Sequence, residues 1–346
     1  MARIVVAGAG SVGACIAYHL ALLGGPDVVL AERAEIASGS TGKAMGGVRQ
    51  QFSSAAEVRL AQESIAFFEE LGASWFQQVG YLFLAMSEHG LAELEERRKL
   101  QAGLGVPVER VDPRVVPGLA ADDVLGAVFC ATDGVADPPA LTREIVRRAA
   151  GLGVEVLEHT DARELGRDVL VIATGVSSGE FGVELPIRPL ARQLLETEPL
   201  GGLPGDLPMV IEAESGFHFR RRDDCLRIAM NDAEPRWGFE ATVDESVFSD
   251  RLERLAHRYP PAKGTTIARA WAGLYDMTPD AHPIIGPVGD GLYAACGFSG
   301  HGFMQSPAVG RAVAEELLRG ESSLDLAPYR LDRFSSETAF PEELVL

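Results

Sequence analysis

The first 32 residues constrain this chain more than any others. Arg3–Ala7, RIVVA, is a short, nearly continuous apolar run of the kind a buried parallel strand carries. Gly8-Ala9-Gly10-Ser11-Val12-Gly13 follows at once, an apolar helix is predicted to about Leu23, and Gly24-Gly25-Pro26 ends it. Residues 27–31, DVVLA, read as a second strand that stops at Glu32. A strand, a G-x-G-x-x-G turn, a helix and a strand ending in an acid together point to a dinucleotide site. Gly8 permits the tight turn, Gly10 lets backbone approach a pyrophosphate, and Gly13 permits close helix–strand packing. The helix start at Ser11 and Val12 then offers amide donors and a positive dipole end to phosphates. Glu32, with Arg33 beside it, stands where an acid takes ribose hydroxyls. That disfavours a 2′-phosphorylated cofactor and leaves NAD and FAD unseparated.

Residues 4–25 are apolar enough to resemble a targeting segment or a membrane span. One Arg precedes them, five glycines interrupt them, and Tyr18 and His19 lie among them, so the strand–helix reading takes precedence and no membrane span is expected. Across 346 residues, 31 Lys+Arg against 50 Asp+Glu leave a net charge of −19. A surface that acidic repels nucleic acid and anionic membranes. It does not choose a substrate, because a cationic pocket can sit inside an acidic protein. Cys15, Cys130, Cys225 and Cys296 are far apart and form no C-x-x-C, as expected of reduced thiols in a cytoplasmic protein. The seven histidines are equally scattered, and no metal site is expected.

Residues 37–47, ASGSTGKAMGG, are too rich in Gly and Ser for an ordinary helix and read as a loop. The STGKA within it is not a P-loop: Ala37 stands where the first glycine is required, and Ala44 follows Lys43. An amphipathic helix is predicted over 57–71, a strand at 81–86 and a charged helix near 91–101. Asp137-Pro138 announces a helix to about Ala150, with strands at 154–158 and 168–174. Residues 187–268 read as β-rich, with strands at 208–212, 216–220 and 225–230 and a helix near 246–258. The last segment offers a strand at 291–295, a glycine-rich turn at 297–302 and a helix from Pro307 to Arg319. This alternation predicts an α/β protein, α+β overall. A Rossmann-like dinucleotide domain would be assembled from residues 1–79, 134–186 and 269–346. A β-rich substrate domain would be inserted as 80–133 and 187–268.

Five blocks resemble the D-amino-acid oxidase/sarcosine oxidase family of FAD-dependent oxidoreductases. They are ERAEIASGSTGKAMGGVRQQF at 32–52, GVADPPAL at 134–141, VIATG at 171–175, WAGLYDMTPDAHPIIGP at 271–287 and CGFSGHGFMQSPAVGRAVAEELL at 296–318. The blocks keep family order over most of the chain and are most similar to the sarcosine oxidase, glycine oxidase and dye-linked proline dehydrogenase branches. The resemblance implies FAD and an amine or amino-acid oxidoreductase. It implies that Ser40, Thr41 and the amides near Gly46 and Gly47 reach the pyrophosphate and the isoalloxazine edge, and that Ala173 and Gly175 line the cofactor. The turn through Gly300, His301, Gly302, Phe303 and Met304 would lead into a helix whose N-terminal dipole favours negative charge on the reduced ring. Arg49 stands where the sarcosine oxidase pattern has an arginine that binds the substrate carboxylate, a role its planar fork suits. Tyr275 and His301 match positions near the ring, and for His301 a structural role stays open.

The chain departs from the family at four points. Gly273 replaces the cysteine through which monomeric sarcosine oxidases tether flavin, so FAD is expected to be non-covalent. Met304 replaces a second carboxylate-binding cation, which predicts a preference for a substrate bulkier or more apolar than sarcosine. Arg227 is the approximate match to a lysine that the family places over the ring to promote reaction with oxygen. Residues 159–167, HTDARELGR, are too short for the three-stranded meander usual there, which leaves the adenine side more open. The reaction implied is oxidation of an amino-acid C–N bond, first of all in an N-substituted glycine or other secondary amine, with imine hydrolysis afterwards. Oxygen or another acceptor would take the electrons, and a partner subunit is one such acceptor. A 2-hydroxy acid or D-amino acid is the alternative substrate. An NAD-dependent dehydrogenase would leave the C-terminal block unexplained.

Overall fold

The apolar opening folds as its pattern dictates, and the computed structural model describes residues 2–335 and residue 341. Along the chain, β1 (Arg3–Ala7), α1 (Ser11–Leu22) and β2 (Asp27–Ala31) come first, then β3 (Gly47–Val48), α2 (Ala55–Leu71) and β4 (Phe76–Gln77). β5 (Tyr81–Ala85), α3 (Glu88–Gly103), β6 (Val108–Val111) and β7 (Gly126–Cys130) follow. After them come β8 (Gly134–Ala136), α4 (Pro138–Gly151), β9 (Glu155–Leu157) and β10 (Val169–Ile172). The middle holds β11 (Arg188–Thr197), β12 (Met209–Glu212), β13 (His218–Arg222), β14 (Cys225–Ala229) and β15 (Arg236–Trp237). α5 (Phe248–Arg258), β16 (Ile267–Met277), β17 (Ile284–Gly289), β18 (Leu292–Cys296) and α6 (Gly302–Arg319) complete it.

One six-stranded sheet has the order β17-β18-β10-β1-β2-β9, parallel except for β17 at its edge. Val5, Val29 and Val171 are fully buried, as continuous apolar strands with both faces covered must be. α1 packs on this sheet with α4 and α6, forming a core of Ile16, Leu20, Ile145 and Val313. Gly310 of α6 lets the two helices meet: a Cβ there would lie 2.6 Å from the backbone of Cys15. Asp137 caps α4 through its bond from the Ala140 amide (3.1 Å), and Pro138 takes the first turn. The arrangement is the Rossmann-like mixed α/β fold expected of the opening motif.

A nine-stranded sheet joins β5–β7 to β11–β16. Strand alternation sorts its faces. Leu82, Val210, Phe219, Ile228 and Leu195 form a core with Leu255 of α5. Their neighbours Tyr81, Met209, His218 and Arg192 lie on the other face, toward the cleft described below. β3, β8 and β4 make a third, small sheet.

Three expectations need correction. α6 begins at Gly302, five residues before Pro307. The proline costs the helix one donor, and the Phe303 carbonyl it leaves is taken by the Ser306 hydroxyl at 2.8 Å. The longest antiparallel pair, β11 with β16, was not among the expected strands. β16 crosses the expected boundary at 268/269 and lies wholly in the nine-stranded sheet. Residues 159–167 hold only a 3-10 turn at Ala162–Glu164, in keeping with the missing meander. Among the described residues no helix is long and apolar enough to cross a membrane, and no group of His, Cys, Asp and Glu could hold a metal ion.

Candidate active site

A cleft of about 460 Å³ opens between the carboxyl ends of β1, β2, β10 and β18 and the cleft face of the nine-stranded sheet. Ligands of open α/β sheets bind beyond those strand ends, and the volume suits a cofactor or substrate site. Gly8, at φ +97°, turns the chain away from β1 in a left-handed conformation, and a Cβ there would lie 2.5 Å from the Ala173 carbonyl. Gly13 is not on the wall. It packs beneath Gly8, whose carbonyl would be 1.9 Å from an added Cβ. Gly10 does face the cleft, and an added Cβ there would meet only the Thr41 hydroxyl. α1 starts at Ser11 with no side-chain cap from Gly10. Of the amides of its first turn, that of Ser11 is taken by the Thr41 hydroxyl, and that of Val12 has no acceptor within the helix, as an anion site requires.

The strand-end acid braces the turn. Glu32 accepts from the Ala9 amide (2.8 Å) and the Ala34 amide (3.0 Å), tying the glycine turn to the end of β2. Arg33 donates to Ser177 at 2.6 Å and pairs with Glu180 at 3.0 Å. The Ser40 and Thr41 hydroxyls also anchor protein: Ser40 donates to the Leu274 carbonyl (2.7 Å), and Thr41 accepts from the Ser11 amide (3.1 Å). Loop 37–47 contains one 3-10 turn, Ser40–Lys43, whose Lys43 carbonyl takes the Trp271 indole N–H at 3.0 Å. Gly273 lies against the Lys43 stem. Ala173, Gly175 and Gly273 all line the cleft.

Arg49, 1% exposed, also lines the cleft. Its guanidinium carbon lies 4.1 Å from the Phe52 ring centre, Nη1 donates to the Gln51 carbonyl, and Nη2 is 3.4 Å from His301 Nε2. A guanidinium has donors only, so His301 Nε2 is the acceptor in that contact. Asp133 holds the Arg49 segment from behind, accepting from the Gln50 amide (2.9 Å) and from the Gln51 side chain (3.0 Å). Its burial pushes that carboxyl up to about 6. His301 occupies the N-cap position of α6 and meets Phe52 edge-on. Gly300 leaves room for the Tyr275 ring, 2.4 Å from where a Cβ would be. Gly46 and Gly47 form the neighbouring wall with Gly302, Phe303 and Met304. The Tyr81 hydroxyl stands where a Gly47 side chain would begin.

The structure therefore brings Arg49, Tyr275, His301 and Met304 to one cleft, which the G-x-G-x-x-G turn also lines. It does not bring Arg227 there. Arg227 pairs with Glu196 at 2.8 Å and stacks near Trp271, so the approximate match to a ring-facing lysine is lost to an internal ion pair. Two chamber residues escaped the sequence reading. Arg192 lines the cleft from β11. His218 lines it from β13, with Nδ1 2.8 Å from the Gly216 carbonyl. That carbonyl requires the proton on Nδ1, and burial, with Arg49 and Arg192 adding, lowers the imidazole to about 4. The signal for both was a charged or polar residue alternating with apolar ones in a strand, which becomes legible only when the sheet faces are known.

The family model described as DAO, FAD dependent oxidoreductase, matches residues 3–316. Mouse (Mus musculus) sarcosine dehydrogenase is 26% identical over 381 residues, covering 96% of this chain and 41% of the relative. The chain thus spans about two fifths of that relative's length. Glycine oxidase of Geobacillus kaustophilus is 25% identical over 368 residues, covering 95% of this chain and 96% of the oxidase. The crystal structure of L-proline dehydrogenase from P. horikoshii superposes with a TM-score of 0.90 at 29% identity, covering 97% of this chain and 98% of that one.

Proposed function

We propose, from the premise that the chain belongs to the DAO family of FAD-dependent oxidoreductases, that it oxidises the C–N bond of an amino acid, first of all of an N-substituted glycine or other secondary amine. The observation that carries this reading is Arg49, a buried guanidinium in a cleft that a dinucleotide turn also lines. The names of two compared proteins support it, since sarcosine and L-proline are both secondary amines bearing a carboxylate.

The residues present fit FAD without a covalent link. The first turn of α1 offers amides to the pyrophosphate, Glu32 stands at the ribose position, and Gly273 supplies no sulfur. Arg220 braces the Met45–Gly46 wall by donating to the Met45 carbonyl at 2.7 Å. When bound, FAD supplies the two-electron acceptor of the reaction. The protein's part is to bind, orient and dry the chamber. Arg49 holds the carboxylate, which fixes the carbon to be oxidised, an effect of orientation. Phe303 and Met304 exclude water on one side. His218 lines the opposite wall as an uncharged acceptor, so it does not repel a substrate cation during entry, and the amine reacts in its neutral form. The nine-stranded sheet, β16 included, serves in this reading as the substrate-binding roof.

The test is the visible spectrum of the FAD-loaded protein under anaerobic conditions, with amines and hydroxy acids added separately. Bleaching by an N-substituted glycine or proline supports the proposal. Bleaching by hydroxy acids alone overturns it. Hydrogen peroxide formed by the isolated chain in air identifies oxygen as acceptor; reduction that persists in air points to another acceptor, such as a partner chain.

A further inference from the structure

We propose that Arg192 binds a second anionic group of the substrate, so that the chamber is built for an amino acid bearing two carboxylates. This rests on the reading above, in which Arg49 takes the first.

Arg192 stands on the cleft face of β11, opposite Gly273 of β16, which offers it no side chain. Its guanidinium carbon lies 5.8 Å from the centre of the Tyr275 ring. Its Nε and Nη1 are buried and make no hydrogen bond among the described residues. Buried arginines elsewhere have oxygen partners: Arg220 donates to the Met45 and Arg221 carbonyls. Arg258 is paired with Glu212 and Asp123, each at 2.8 Å, and Arg333 with Asp280 at 2.8 Å. Asp232, whose charge reaches Arg192 through space, is engaged by Arg236 at 3.0 Å and Arg251 at 3.7 Å. A half-buried cation whose two buried nitrogens lack an acceptor is costly unless a ligand brings one.

The cofactor does not bring it. Its pyrophosphate belongs to the first turn of α1, on the six-stranded sheet, whereas Arg192 is on the roof with His218 and Tyr275. Arg49 and Arg192 both act electrostatically on His218 and Tyr275, which places the two cations around one space. A substrate with two carboxylates and a neutral amine carries −2 and balances them. Met304 makes the α6 wall less polar, whereas Arg192 and His218 are both supplied by the nine-stranded sheet.

The experiment uses the FAD-loaded protein and its Arg192→Leu and Arg192→Lys variants, with flavin content as the check on folding. Anaerobic flavin reduction by N-methylglycine and proline is compared with reduction by N-(carboxymethyl)glycine and N-methylglutamate. Spectral titration with the unreactive anions propionate and glutarate reads binding alone. The expected result is an advantage of about ten- to a hundredfold for dicarboxylates, the size of one charged hydrogen-bonded contact. Arg192→Leu should erase that ratio and Arg192→Lys keep part of it. Equal use of both classes by the unmodified protein overturns the proposal. So does an equal loss for both classes in Arg192→Leu, which would assign Arg192 to the first carboxylate. If no amine reduces the flavin, the proposed reaction fails, while the glutarate–propionate comparison still decides Arg192.

Discussion

Arg49 reaches its place because the short Arg49–Gln51 segment is pinned from two sides, by Asp133 behind and by Phe52 against its own guanidinium. Such a side chain loses little freedom on binding, which favours a tight grip on a carboxylate. Arg49→Ala should weaken carboxylate-bearing substrates by roughly ten- to a hundredfold in apparent affinity, the worth of one charged contact. An amine without a carboxylate should lose much less. Stopped-flow reduction over a range of substrate concentrations reads both, and an unchanged affinity refutes the assignment. At this scale the sequence was uneven. Gly8, Gly10 and Glu32 were legible because the spacing of a phosphate turn is a local property. Arg49 was legible only by resemblance. Arg192 and His218 were not, since strands at 188–197 and 218–222 do not reveal which face meets the cleft and which meets α5.

Elements were more legible than sites where an apolar period ran unbroken, as in β1, α1, β2 and β10. α6 was placed five residues late because Pro307 looks like a first-turn residue. In the folded chain Ser306 offsets the missing donor and the helix starts earlier, which puts Gly302–Met304 at the chamber. β11 and β16 were hidden by their own charges: Arg188, Arg192 and Arg269 interrupt the apolar pattern, though each has a place on a sheet face. The packing of α6 on α1 carries a prediction. Gly310→Ala puts a methyl 2.6–2.7 Å from the Cys15 backbone and Cβ, and backbone yields less readily than a side-chain tip. Overpacking of this kind costs about 1–3 kcal/mol. Urea unfolding of the variant should show a lower midpoint with an unchanged slope. Full stability would mean that the two helices slide apart freely.

Over the whole molecule, an acidic surface of net charge −19 encloses a cleft that Arg49 and Arg192 line. Burial keeps His218 neutral, and the same physics shapes stability against pH. His19 and His218 are both lowered to about 4, chiefly by burial, from an ordinary value near 6.5. Between those values the unfolded chain binds more protons than the folded one, so stability rises with pH across the window and is lost as pH falls from about 6.5 toward 4. Each histidine accounts for about 3 kcal/mol of that loss once both states are protonated. Asp133 acts in the opposite sense. Burial raises it to about 6 from 3.8, so its contribution is present at low pH and lost as pH rises through about 6. Buried Asp276 is raised in the same sense, while Glu95, Asp123 and Glu144, lowered by hydrogen bonds from arginines, join the histidines in losing stability in acid. Urea midpoints measured from pH 7 to pH 4.5 should therefore fall. His19→Gln and His218→Gln should each flatten the profile, and Asp133→Asn should steepen it between pH 4 and 6. A midpoint that does not change from pH 7 to pH 5 in the unmodified protein would show that these histidines meet solvent in the folded state, and with that the closed chamber proposed around His218 would fail.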